Sequence, residues 1–329
     1  MDITDKVILA FGGAGFIGSR VCEYYTTPSL NNTVYTFDNL DRNALKHFDF
    51  SNRDNFELIV GDITDSRHVE DVVDEIDPDI IYNFAAVAGV ENVLKHPLKT
   101  LEVNMMGTYN ILNALRYNLG NRPSSGLYRF IYFSTSEVFG QYAFKPSENQ
   151  PTALLPAGEG RWIYSVSKLA SESVIDAFAR EVGLSYVIVR PFNIYGVGQV
   201  GEGAIHTFIN RALQGLPLEI RGDGDQIRSW CYIDDMVDGI KLCTSNPYAI
   251  GHTFNIGNPR GTITINMLAY LIKELCQSNS DIVYVPMDYE DVELRIPSIE
   301  KAKRLIGYIP KVDIIEGLKK TIDWYRRFP

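Results

Sequence analysis

Directly behind the apolar run "KVILAFG" (6–12) stands "GGAGFIGS" (12–19), which places Gly12, Gly15 and Gly18 three residues apart where a strand pattern gives way to a helix pattern. Glycines at that passage let the backbone close on a pyrophosphate, which then rests against the N–H groups and positive dipole end of the helix that Phe16 and Ile17 open. A strand, a glycine turn and a helix in this order point to a nucleotide-binding βαβ unit. Asp38 ends the next strand pattern, "TVYTFD" (33–38), about 20 residues after Gly18. A carboxylate there suits both ribose hydroxyls of an adenosine and repels a 2′-phosphate, so NAD is expected rather than NADP.

The pattern continues for the first 190 residues. "FELIVGD" (56–62), "IIYNFA" (80–85), "RFIYFS" (129–134) and "SYVIVR" (185–190) are apolar on both faces, as buried parallel strands are. Between them, "ITDSRHVEDVVDEI", "LKTLEVNMMGTYNILNALRYN" and "YSVSKLASESVIDAFAREVG" carry apolar residues at helical spacing. The fold class expected is α/β, a doubly wound parallel Rossmann sheet with a smaller C-terminal substrate-binding domain. Residues 1–193 are assigned to the NAD-binding part, with 229–256 returning to it, and 194–228 and 257–329 to the substrate part. On this fold Asp62 and Ile63 would flank the adenine, and Phe84, Ala85 and Ala86 would pass close to the pyrophosphate.

A formal charge of −10 argues against nucleic acid and against an anionic membrane surface as partners, since both reward a basic face. No run reaches the roughly 18 apolar residues of a membrane helix, the start lacks a signal-peptide pattern, and a cytoplasmic protein is expected. Cys22, Cys231, Cys243 and Cys276 lie far apart with no CxxC spacing, which suggests reduced core residues and no metal site.

Chemistry enters at "STSEVFG" (134–140), where a buried strand ends in Thr135, Ser136 and Glu137, and at "YSVSK", where Tyr164 and Lys168 are four apart on one helix face. Strand ends of a doubly wound sheet face the ligand crevice, so polar residues there are placed for chemistry. A lysine ammonium near a phenol favours phenolate, which would bring Tyr164 down from its ordinary value near 10 toward use as a base.

Taken in order, "GGAGFIGS", "STSEVFG", "YSVSK" and "RPFNIYG" (190–196) resemble the extended short-chain dehydrogenase/reductases that modify nucleotide-diphosphate sugars, and the resemblance covers nearly the whole chain. It implies catalytic roles for Thr135, Tyr164 and Lys168, contacts of Asn193, Arg228 and Arg295 with the substrate's diphosphate, and a two-fold dimer through a four-helix bundle built from the helices near 100–118 and 165–182. Thr-Ser-Glu at 135–137 and "RWIYSVSK" at 161–168 are most similar to UDP-glucuronate decarboxylases, in which Glu137 would serve proton transfer at C5. "YGVGQVGEG" (195–203) departs from the Gly-Pro-Arg those decarboxylases carry after their "FN" segment. A sugar 4,6-dehydratase, a 4-epimerase and a non-catalytic NAD-binding protein remain as alternatives, and the nucleotide base, the sugar and the pathway stay open.

Overall fold

Most β-rich runs form strands that are apolar on both faces and buried between two helical layers, but the edge run Phe56–Val60, expected to be buried as well, carries Glu57 and leaves Leu58 and Val60 exposed. In the computed structural model, which describes residues 2–50, 53–121, 129–154, 157–287 and 289–328, the strands are β1 (Val7–Phe11), β2 (Thr33–Asp38), β3 (Phe56–Val60), β4 (Ile80–Asn83), β5 (Arg129–Phe133), β6 (Tyr186–Pro191) and β7 (His252–Ile256), the last a strand the sequence reading did not mark. They make one sheet in the order β7-β6-β5-β4-β1-β2-β3, every neighbouring pair parallel. The order reverses between β1 and β4, and a doubly wound sheet opens its ligand crevice at the C-terminal ends beside such a reversal.

The helices that cover this sheet are α1 (Phe16–Tyr25), α2 (Ser66–Ile76), α3 (Gly107–Asn121), α4 (Ile163–Val182) and α5 (Ile233–Ser245). α2, α3 and α4 bury Val69, Val73, Ile111, Leu112, Ile175 and Phe178 against one face. α1 and α5 bury Val21, Cys22, Ile233, Met236 and Ile240 against the other. The Asp65 carboxylate accepts from the N–H groups of Arg67 and His68 and so starts α2. Gly183, in left-handed conformation, stops α4. All four cysteines are free and buried.

The helix pattern read from 98 onward is one run that contains a π-helical stretch, Glu102–Met106, ahead of α3. Asn104 in that stretch donates to Ser167 Oγ at 3.1 Å, and its carbonyl accepts from Ser171 Oγ at 3.1 Å. α4 is held from its other side by Glu172, which accepts from Arg190 of β6 and from Ser134 behind β5. These ties fix the helix that carries Tyr164 and Lys168.

A second, four-stranded sheet is separate from the large one. Its order is Thr262–Thr264, Ile227–Ser229, Leu294–Ile296, Tyr142–Phe144. Its central pair is parallel and aligns Arg228 with Arg295. Among the described residues no helix is long and apolar enough to cross a membrane.

Candidate active site

Two clefts adjoin at the C-terminal edge of the large sheet. The first, about 430 Å³, is lined by Gly12, Gly15, Phe16, Ile17, Gly18, Asp38, Asp62, Ile63, Phe84, Ala85, Ala86, Thr135, Tyr164 and Lys168, among others. The second, about 490 Å³, is lined by Glu137, Asn193, Arg228 and Asp291 together with residues of the C-terminal part. Ile194, Gln199 and Glu202 line both, so a ligand can run from one into the other.

The first cleft has the chemistry of a dinucleotide site. Gly12 has φ +74°, and a Cβ there would collide with the backbone of Ala85. Gly15 is the N-cap of α1 and brings no side-chain cap, which leaves the helix N–H groups at Phe16 and Ile17 free to face an anion. Asp38 is buried at the far end, where its Oδ1 accepts from Leu40 N at 2.8 Å and Oδ2 from Ala14 N at 3.0 Å. Each oxygen keeps further acceptor capacity for a ribose hydroxyl. Burial raises the Asp38 carboxyl above its usual value, and the two backbone donors pull the other way. The residues present therefore fit a nicotinamide dinucleotide.

Where β5 ends, Thr135 accepts from the Glu137 N–H at 3.2 Å and starts the short helical turn Ser136–Phe139. Tyr164 opens the first turn of α4 and reaches the same corner. Lys168, one helical turn further on, is 1% exposed. Its Nζ donates to the Phe133 carbonyl at 2.7 Å and lies 4.8 Å from the centre of the Tyr132 ring.

In these surroundings burial works against the phenolate that the Lys168 charge was expected to favour. Burial pushes Tyr164 up, the Glu137 charge adds to that, and Thr135 offsets part of it. Burial also pushes Lys168 down, to about 7, so its ammonium is itself weakened. Ser136, in the turn between Thr135 and Glu137, is 2% exposed and lies outside both cleft linings.

In the second cleft Asn193, at φ +43°, donates to the Ser229 carbonyl at 3.0 Å. Arg295 lines neither cleft directly and reaches the site through Glu137, at 3.4 Å. Two residues to which the sequence reading gave no role complete the group. Arg161 donates to Glu137 at 2.9 Å and to Asp291 at 2.6 Å, and Arg228 pairs with Asp291 at 3.2 Å. Arg161 stands at the head of the quoted "RWIYSVSK", three residues before Tyr164, and that position was its available signal; Asp291 had none. Burial works against the charge on Glu137, but Arg161 and Arg295 outweigh it and hold the carboxyl below its usual value. Among the described residues there is no cluster of three or more His, Cys, Asp or Glu placed to hold a metal ion.

Comparisons with known proteins place the chain in a family. The profile of the NAD dependent epimerase/dehydratase family matches residues 8–257. UDP-glucuronic acid decarboxylase 1 of Danio rerio is 35% identical over 328 residues, 98% of this chain and 73% of that protein. A UDP-N-acetyl-alpha-D-glucosaminuronate decarboxylase of Bacillus cytotoxicus is 32% identical over 330 residues, covering 98% of each. Among solved structures, UDP-glucuronic acid 4-epimerase from Bacillus cereus, in complex with UDP-glucuronic acid and NAD, superposes with a TM-score of 0.86 at 26% identity, covering 98% of this chain and 100% of that one.

Proposed function

Because the chain belongs to the NAD-dependent epimerase/dehydratase family, whose members modify nucleotide sugars, we propose that it decarboxylates a nucleotide-diphosphate hexuronate through a transient 4-keto sugar. NAD is the cofactor, and when bound it supplies the acceptor that takes hydride from C4 and returns it at the end. Tyr164 takes the O4 proton, Thr135 aligns that hydroxyl, and Lys168 supplies positive charge beneath them. The new ketone is β to the C5 carboxylate, so carbon dioxide leaves while its bonding electrons stay on the sugar as an enolate. Thr135 and Tyr164 stabilise that oxyanion by hydrogen bonds. C5 then takes a proton from a water that the ionised Glu137 orients.

The observation that carries this reading is the balance of charge around Glu137. Arg161, Arg228 and Arg295, each 5–7% exposed, face only two carboxylates, Glu137 and Asp291. Two further guanidinium nitrogens of Arg295, Nε and Nη2, are buried without a partner. Buried guanidinium in excess of carboxylate calls for anionic groups on the ligand. A hexuronate linked to a diphosphate brings two such groups, whereas the substrate of a 4,6-dehydratase has a neutral CH₂OH at C5.

The test is incubation of the NAD-loaded protein with UDP-glucuronate, UDP-glucose and dTDP-glucose, followed by mass spectrometry. Loss of carbon dioxide from UDP-glucuronate is expected. Loss of water from either glucose nucleotide, or an isomer of unchanged mass from UDP-glucuronate, would replace the reading with a dehydratase or an epimerase.

We also propose a two-fold dimer. Leu98, Met106 and Tyr109 on the helical run through α3, and Val166 on α4, are exposed apolar side chains. The two helices touch, and a second copy of the pair would cover these residues.

A further inference from the structure

The five charged side chains form a chain of alternating sign: Arg228, Asp291, Arg161, Glu137, Arg295. Asp291 stands at the turning point. Its Oδ1 accepts from Arg161 Nε at 3.0 Å and Nη2 at 2.6 Å, and its Oδ2 accepts from Arg228 Nη2 at 3.2 Å. Gripped along that edge, and lying over the Trp162 ring at 4.7 Å, the Arg161 guanidinium has its plane fixed. Its remaining nitrogen, Nη1, meets Glu137 Oε2 at 2.9 Å. Asp291 therefore sets how much of the Arg161 charge faces Glu137, although it does not touch Glu137 itself.

The other end of the chain lies where the substrate's diphosphate is expected. Arg228 and Arg295 are register partners in parallel strands, and like charges side by side destabilise a sheet. Burial, with Arg295 adding to it, pushes Arg228 down to about 10, and the charge of Asp291 opposes that. Asp291 thus does for Arg228 what a ligand phosphate would do.

We propose that Asp291 is a positioning residue that couples filling of the diphosphate position at Arg228 to the hold of Arg161 on Glu137. This rests on the reading of Arg228 as a diphosphate ligand and of Glu137 as the group that serves C5. An arriving diphosphate takes over Arg228, and Asp291 is then shared by one arginine instead of two. More of the Arg161 charge is met by Asp291, and Glu137 is released to orient the proton donor at C5. Work at C5 is in this way confined to enzyme that already holds its nucleotide. The coupling exists because the ligand interacts differently with the two arrangements of the chain.

The test uses NAD-loaded protein carrying Asp291→Asn, which keeps shape and removes charge. UDP and dTDP affinities are measured separately by calorimetry, and the tighter nucleotide is followed in the variants. Asp291→Asn frees Arg228 of its internal competitor, so the nucleotide should bind several-fold tighter. Turnover should meanwhile fall by about tenfold, the equivalent of one charge-assisted hydrogen bond. A residue that only supports the fold would weaken both. Weaker nucleotide binding, or unchanged turnover, overturns the proposal. Should the variant not fold, Arg161→Lys decides, since a single ammonium cannot grip Asp291 along an edge and present a second nitrogen to Glu137. Asp291 then turns more fully to Arg228, so nucleotide affinity should fall several-fold, opposite in direction to Asp291→Asn; unchanged or tighter nucleotide binding overturns the proposal. If the unsubstituted protein binds neither nucleotide, the substrate reading falls and the proposal with it. Binding and turnover without the opposed changes remove the role of Asp291 alone.

Discussion

Lys168 Nζ donates to the carbonyl oxygen of Phe133 at 2.7 Å, which ties the ammonium to the strand end that leads into Thr135. No hydrogen bond joins it to Tyr164. The helix that carries Tyr164 and the strand end that leads into Thr135 are thus locked together by a buried charge, whose cost shows in the fall of the Lys168 pKa from 10.5 to about 7.

That cost has a sign that can be measured. Between pH 7 and 10.5 the unfolded chain binds the lysine proton while the folded one releases it, so this group's contribution to stability rises with pH. Well below pH 7 both states carry the charge, and the burial penalty is complete. In cofactor-free protein Lys168→Met should raise Tm most at pH 7, with the gain shrinking toward pH 10. Parallel Tm curves for the two proteins would show that Lys168 is not held at a depressed pKa.

Tyr164→Phe removes the proton acceptor and little else. Folding and NAD binding should be preserved, while turnover falls by about 10²–10⁴-fold, the usual worth of general-base catalysis. Stopped-flow absorbance should show no bound NADH on addition of substrate. Near-normal turnover would make Tyr164 a packing residue.

Asp38 is expected to set the cofactor preference. The unsubstituted protein should bind NADH more tightly than NADPH in fluorescence titrations, and Asp38→Ala should narrow the gap by removing the carboxylate that repels the 2′-phosphate. Equal affinities before substitution would contradict this.

The large sheet and the cofactor cleft were legible because their signals are local. Each buried strand is an apolar run, Gly12 to Gly18 lie within one turn, and Tyr164 and Lys168 within one helix. The charge chain was hidden because Glu137, Arg161, Arg228 and Asp291 come from four separate segments, joined only when three-residue strands align Arg228 with Arg295. Strands that short carry no readable period. For Lys168, spacing places the lysine near the tyrosine, but only the packed structure reveals that its Nζ donates to the Phe133 carbonyl and that burial weakens its charge.

The exposed Leu98, Met106, Tyr109 and Val166 predict a dimer at micromolar concentration by light scattering. Leu98, 78% exposed, is the least costly of them to change within one copy. Leu98→Glu combined with Tyr109→Glu should yield monomers of unchanged fold. A monomeric unsubstituted protein would assign the patch to another partner.

The central claim is that Glu137 serves C5, beyond redox chemistry at C4, and one measurement tests it most directly. NAD-loaded Glu137→Gln is mixed with UDP-glucuronate in D₂O, and NADH absorbance, carbon dioxide release and deuterium in the product are followed together, beside the unsubstituted protein. Tyr164, Thr135 and Lys168 are intact in the variant, so hydride leaves C4 and NADH should accumulate while final product falls steeply. The unsubstituted protein should release carbon dioxide and place one deuterium at C5. Normal turnover of Glu137→Gln, with no carbon dioxide released and no deuterium incorporated by either protein, would contradict the claim and make the enzyme a 4-epimerase.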